Sequence, residues 1–142
     1  MIVAVRLPAE ASRFSDHARY LKVRERTSYA FAVVSAAAVL RFDGDVIADA
    51  RVALGGVALK PWRAREAERI LVGARAERAL FRRAAETALA NAKPSGDNAF
   101  KIELARRVLT RALTLAAAGT PRQLPALPGS PFATVPGALA HA

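Results

Sequence analysis

Tyr29-Ala-Phe-Ala-Val-Val-Ser-Ala-Ala-Ala-Val-Leu-Arg-Phe42, the triplet Asp43-Gly44-Asp45 and Val46-Ile-Ala-Asp-Ala-Arg-Val-Ala-Leu-Gly-Gly-Val-Ala-Leu59 together decide the fold. The first run is built from small and β-branched residues, with Val33, Val34, Val39, Leu40 and Phe42 suited to a pleated surface. Asp-Gly between two apolar runs is a hairpin signal, because glycine takes the positive φ of a tight turn without steric cost. The pair of runs therefore predicts an antiparallel hairpin, although the alanines at its centre would also suit a helix. Gly55-Gly56, inside the second run, predicts a bulge or a close backbone approach. A phosphate loop would have to open onto a helix with Lys-Ser or Lys-Thr, and Leu54-Gly-Gly-Val57 has neither.

Working outward, Arg19 to Arg24 alternates, with Tyr20, Lys22 and Arg24 on one face and Leu21 and Val23 on the other, which predicts a half-buried strand. Ala9 to Asp16 is polar and reads as a loop. Ile2 to Leu7 reads as a short strand ended by Pro8, and a lone first strand needs a partner, as a cut through a larger protein would leave it. Downstream, Pro61 ends the hairpin's second strand, and Arg65 to Val72 carries Ala67, Ile70 and Leu71 at helical spacing before Gly73. Arg75 to Ala92 predicts a second helix, its apolar face holding Leu80, Phe81, Ala84, Ala88 and Leu89, with Arg82 and Glu86 placed to pair. Asp97 suits the N-cap of a third helix running to Ala118, whose inner face carries Ile102, Ala105, Leu109, Ala112, Leu113 and Ala116. The fold class expected is α+β: a small antiparallel sheet of three main strands plus the N-terminal strand, packed on a three-helix bundle. It occupies residues 1–119. From Thr120 to Ala142 prolines and glycines recur without periodicity, the composition of a disordered tail.

The 142 residues, 53% hydrophobic and 24% charged, suffice for one globular domain. Arg41 and Asp43 end the longest apolar run well short of the roughly 20 residues that span a bilayer, so no membrane partner is expected. Met-Ile-Val-Ala-Val-Arg at the start is not a secretory leader; a cytoplasmic protein is expected, or a periplasmic one if exported as a folded complex. The net charge of +10 raises nucleic acid as a partner. Against it, the arginines are scattered among apolar residues and carboxylates, and Lys22, Lys60, Lys93 and Lys101 stand alone.

No catalytic or metal centre is expected. Cysteine is absent, and the two histidines, His17 in a loop and His141 near the end, are far apart, so three convergent metal ligands do not assemble. Asp43 and Asp45 flank a turn, and Glu66 and Glu68 sit on what reads as an exposed helix start, so both carboxylate pairs read as structural. Trp62, Tyr29 and Phe31 read as packing residues, with Trp62 anchoring helix to sheet.

Arg19-Tyr-Leu-Lys-Val-Arg-Glu-Arg26, Ser28-Tyr-Ala-Phe-Ala-Val33, Val52-Ala-Leu-Gly-Gly-Val57, Lys60-Pro-Trp-Arg-Ala64 and Asn98-Ala-Phe-Lys-Ile102, in this order, resemble the carboxy-terminal domain of FAD-binding subunits in the xanthine dehydrogenase family. The likeness runs from about Ile2 to about Ala118 and is nearest to bacterial aldehyde and xanthine oxidoreductases. There the flavin subunit works beside an iron-sulfur subunit and a molybdopterin subunit. The resemblance implies FAD as cofactor, with Ile2 and Lys22 touching it near the isoalloxazine end and Val23 to Tyr29 lining the flavin's exposed edge. It also implies that the glycine-rich pyrophosphate segment and most of the FAD pocket lie upstream, in a partner domain. A chain of this kind closes a flavin site and docks subunits of a molybdenum hydroxylase in which FAD passes electrons from iron-sulfur clusters to an acceptor. The alternatives from other classes are a basic module binding nucleic acid or an acidic partner, and a structural interaction domain without cofactor.

Overall fold

The computed structural model describes residues 3–27 and 29–121. Four strands, β1 (Ala18–Val23), β2 (Val34–Asp43), β3 (Val46–Gly55) and β4 (Trp62–Arg63), form one antiparallel sheet in the order β1-β2-β3-β4. Three helices follow, α1 (Arg65–Leu71), α2 (Arg78–Ala88) and α3 (Phe100–Ala117), which makes the fold α+β.

The hairpin forms where the Asp-Gly signal put it. Asp43 pairs with Val46 across a two-residue loop, and Gly44 takes φ 55° there. The alanines of β2 bury with a period of two: Val34, Ala36, Ala38 and Leu40 are fully buried and face Ile47, Ala50, Val52 and Leu54 from β3 in one core. That period, and not the helical one, settles the ambiguity of the alanine run. Small side chains in the sheet are met by small side chains on the helices. Ala84, Ala85 and Ala88 of α2 and Ala105, Ala112 and Ala116 of α3 enter the same core, with Leu109, Leu113 and Phe81 filling the gaps between close backbones.

Glu68, read from the sequence as exposed, is instead buried. Its carboxylate accepts the Val52 N–H at 2.7 Å and pairs with the Arg63 guanidinium, so α1 is locked to β3 and β4 through one side chain. A buried carboxylate is tolerable because both oxygens are satisfied. Trp62 pairs with Leu54 in register and packs on the core, as its anchoring role requires.

Several elements differ from expectation. Val3 to Leu7 form no strand; Val3, Val5 and Leu7 stand 85, 80 and 79% exposed, and β4 supplies the fourth strand instead. Ala9–His17, read as a loop, is a 3-10 helix: Pro8 fixes the entry φ at −60°, and the Ala11 N–H donates to Pro8 O at 3.0 Å. Its Phe14 is buried with the Arg51 guanidinium 5.5 Å from the ring centre. α2 starts at Arg78 rather than Arg75, because the preceding residues are held extended against β3, with Gly73 N–H donating to Ile47 O and Ile47 N–H to Ala74 O. Arg82 and Glu86 form no ion pair; Glu103 instead pairs with Arg107 at 2.8 Å and Arg106 at 3.8 Å. Asp97 does not cap α3, whose N-cap is Ala99 without a side-chain bond, while Asn98 Oδ1 accepts the Ser95 N–H. Among the described residues no helix is long and apolar enough to cross a membrane. The proline-rich segment lies outside the described residues from 122 onward.

Candidate functional site

Chemistry-bearing groups gather at the end of the sheet where β1 turns into β2. β1 presents Tyr20, 63% exposed, and Lys22 outward, and turns Leu21 and Val23 toward the core. Lys22 pairs in register with Ser35, so its side chain leaves the sheet beside the base of the β1–β2 loop.

That base is fixed from two sides. The Val33 N–H donates to Val23 O at 2.9 Å and closes the loop like a collar. On the other side lies the Gly55-Gly56 pair, which does mark a close backbone approach. A Cβ on Gly56, at φ 75°, would stand 2.8 Å from Ala32 O, and one on Gly55 would stand 2.6 Å from Ser35 Oγ. Lys101 of α3 donates to Gly56 O at 3.3 Å, tying the same point to the helical layer.

Beyond this collar the loop projects freely. Tyr29 and Phe31, read from the sequence as packing residues, are 97 and 99% exposed. Tyr29 also holds a positive φ of 47°, and the Arg26 guanidinium donates to its carbonyl. A non-glycine residue in that region costs about 1–3 kcal/mol and tends to mark ligand clamps and switch segments. The sequence did contain a signal for the exposure. If the alternation that buries Val34, Ala36, Ala38 and Leu40 is carried backward, Tyr29 and Phe31 fall on the outward parity.

Two free aromatic faces flanked by the cations of Lys22, Arg24 and Arg26 can cover a flat ring system and offset negative charge on it or on attached phosphates. FAD, with a planar isoalloxazine ring and an anionic pyrophosphate, has the chemistry that aromatic faces and cations of this kind take. Lys22 is thus placed at the loop's base, whereas Ile2 lies outside the described residues and is not brought to Lys22 within them.

The other residues singled out in the sequence have structural roles. His17 is not a free loop histidine: its Nδ1 lies 2.9 Å from Ala116 O, and its ring meets Phe42 edge-on at 4.7 Å. With Thr120, whose N–H donates to Asp16 O at 2.7 Å, it clasps the end of α3 to the start of β1. Among the described residues no three His, Asp or Glu side chains converge as metal ligands.

Comparison with known proteins bears on the same region. The family model described as CO dehydrogenase flavoprotein C-terminal domain matches residues 19–116, from β1 to the last turn of α3. The chain is 44% identical over 118 residues to aldehyde oxidoreductase FAD-binding subunit PaoB of Escherichia coli (strain K12), covering 83% of this chain and 33% of that one. It therefore spans about a third of that relative's length. Among solved structures, quinoline 2-oxidoreductase from Pseudomonas putida 86 superposes with a TM-score of 0.68 at 29% identity, over 73% of this chain and 38% of that one. Carbon monoxide dehydrogenase from Hydrogenophaga pseudoflava gives a TM-score of 0.68 at 30% identity, over 73% and 37%.

Proposed function

Because the chain belongs to the CO dehydrogenase flavoprotein C-terminal domain family, we propose that residues 1–119 are the flavin-capping and subunit-docking portion of an FAD-binding subunit in a molybdenum-containing aldehyde or xanthine oxidoreductase. Residues 120–142 are then a tail outside the cap. The observation that carries this reading is the exposed Tyr29 and Phe31 pair, projecting from a fixed collar beside Lys22 inside the matched region. An aromatic pair left in water by its own chain is explained if another body covers it.

In this reading bound FAD would supply the redox chemistry between iron-sulfur clusters and an acceptor. The residues of the cap bind and exclude water. The Lys22 ammonium would offset negative charge on the flavin or its phosphates, Ile2 would pack an aliphatic side chain on the ring, and Tyr29 with Phe31 would shield the exposed edge. The partners are the upstream part of the FAD-binding subunit, an iron-sulfur subunit and a molybdopterin-binding subunit. The cap has no catalytic residue of its own in this scheme.

FAD titration, read by flavin fluorescence, tests it on the chain alone and on the chain mixed with the upstream part of the Escherichia coli relative. Binding is expected only in the mixture, and Lys22→Ala should weaken it about fivefold, the scale of one exposed charge contact. Tight FAD binding by the chain alone, or none in a mixture that associates, would overturn the proposal.

A further inference from the structure

The flavin reading leaves unused a second feature, on the helical layer. α2 and α3 pack together, and the outer surface between them forms a groove of about 620 Å³ lined by Arg78, Arg82, Arg106, Arg107 and Arg111. Two carboxylates, Glu86 and Glu103, stand among these five guanidinium groups. Glu103 is already engaged by Arg106 and Arg107. Arg78, Arg82 and Arg111 make no ion pair with another described residue. Arg106 Nε is buried and has no hydrogen-bond partner among the described residues.

Spacing sharpens the point. Arg78 and Arg82 follow at i, i+4 on α2 as a like-charge pair, and on α3 Arg111 follows Arg107 at the same spacing, so both helices bring cations into the groove. Like charges converging from two elements, three of the five guanidinium groups without an ion pair to a described residue, describe a surface that is completed by an anion.

We propose that this groove docks an acidic segment of a partner protein. Three observations select a polypeptide. Glu86 and Glu103 would lie against any continuous phosphate backbone but leave room for carboxylates spaced along a peptide. No aromatic ring is among the lining residues to stack a base, while Thr110, Thr114 and Leu115 offer the mixed polar and apolar contacts a peptide uses. The chain's own residues 122–142 contain no Asp or Glu, so they lack the matching side-chain charge.

The test is fluorescence anisotropy with a labelled peptide in which glutamates alternate with alanine and leucine, beside a glutamine-for-glutamate version and an oligothymidylate of equal charge. Arg82→Glu/Arg111→Glu changes two exposed side chains of the groove. Arg13→Glu/Lys60→Glu makes the same charge change at exposed positions elsewhere. The groove variant should weaken the glutamate peptide by about tenfold or more and the control by no more than about twofold, with the glutamine peptide binding neither. Equal weakening by both variants would reduce the effect to net charge and overturn the proposal. So would an oligothymidylate that outcompetes the peptide at the groove, or a self-association abolished by the groove variant, which would name a nucleic acid or a second copy as occupant.

Discussion

β2 and the loop that leads into it obey opposite rules. Along the strand Val34, Ala36, Ala38 and Leu40 are fully buried, with α3 packed on the sheet there, whereas a few residues earlier Tyr29 and Phe31 are almost wholly in water. The buried face of the strand includes two alanines, while the loop leaves two aromatic rings in water. Folding stability alone would favour the reverse, since an aromatic ring gains far more from burial than an alanine methyl. The difference teaches that the β1–β2 loop adds little burial to the fold, as the proposed flavin cap requires, and that the collar at Val23, Val33 and Gly56 separates the packed sheet from the loop to which the proposal assigns binding.

The comparison breaks most sharply at the core. Leu109 is fully buried on α3, and Leu109→Ala should lower unfolding free energy by about 2–5 kcal/mol in a urea titration, the combined cost of lost transfer energy and a cavity. A loss well below that range would mean that the helical layer is loosely packed. At the collar, Gly56→Ala should cost about 1–2 kcal/mol for an L-residue held at φ 75°, and more because its Cβ would stand 2.8 Å from Ala32 O and 3.0 Å from Val33 O, so the backbone must shift. Because the strain falls on the loop's base, limited trypsin digestion should cut faster at Arg24 or Arg26 in this variant than in the parent. Unchanged cleavage would argue that the collar does not hold the loop.

Much of this was legible in the sequence and some was not, for reasons tied to particular residues. The hairpin, the Gly55-Gly56 close approach and the inner face of α3 followed from turn chemistry and periodicity, which are local signals. The N-terminal strand was misread because alternating Val3, Val5 and Leu7 satisfy the strand pattern without any strand beside them in the structure. Pairing is a long-range property that a pattern of six residues does not encode. Glu68 was misread for a related reason: its burial depends on the Val52 N–H, sixteen positions away, which needs an acceptor. His17 likewise gained its partner from Ala116 at the far end of the chain. At the candidate site, Lys22 came from a family resemblance and the structure set it in an exposed strand position, while Tyr29 and Phe31 carried a parity signal that their aromatic character masked.

The smallest expected effect on stability is also the most direct test of the central claim, that the loop binds without helping the chain to fold. Tyr29→Ser/Phe31→Ser should leave unfolding free energy within about 0.5 kcal/mol of the parent, as exposed positions do. FAD affinity should be measured in the mixture with the upstream part of the subunit, for this variant and for the parent. A several-fold loss of affinity on an unaltered folding transition is predicted; full FAD affinity in the variant would contradict the claim and leave the exposed aromatic pair without a role at the flavin.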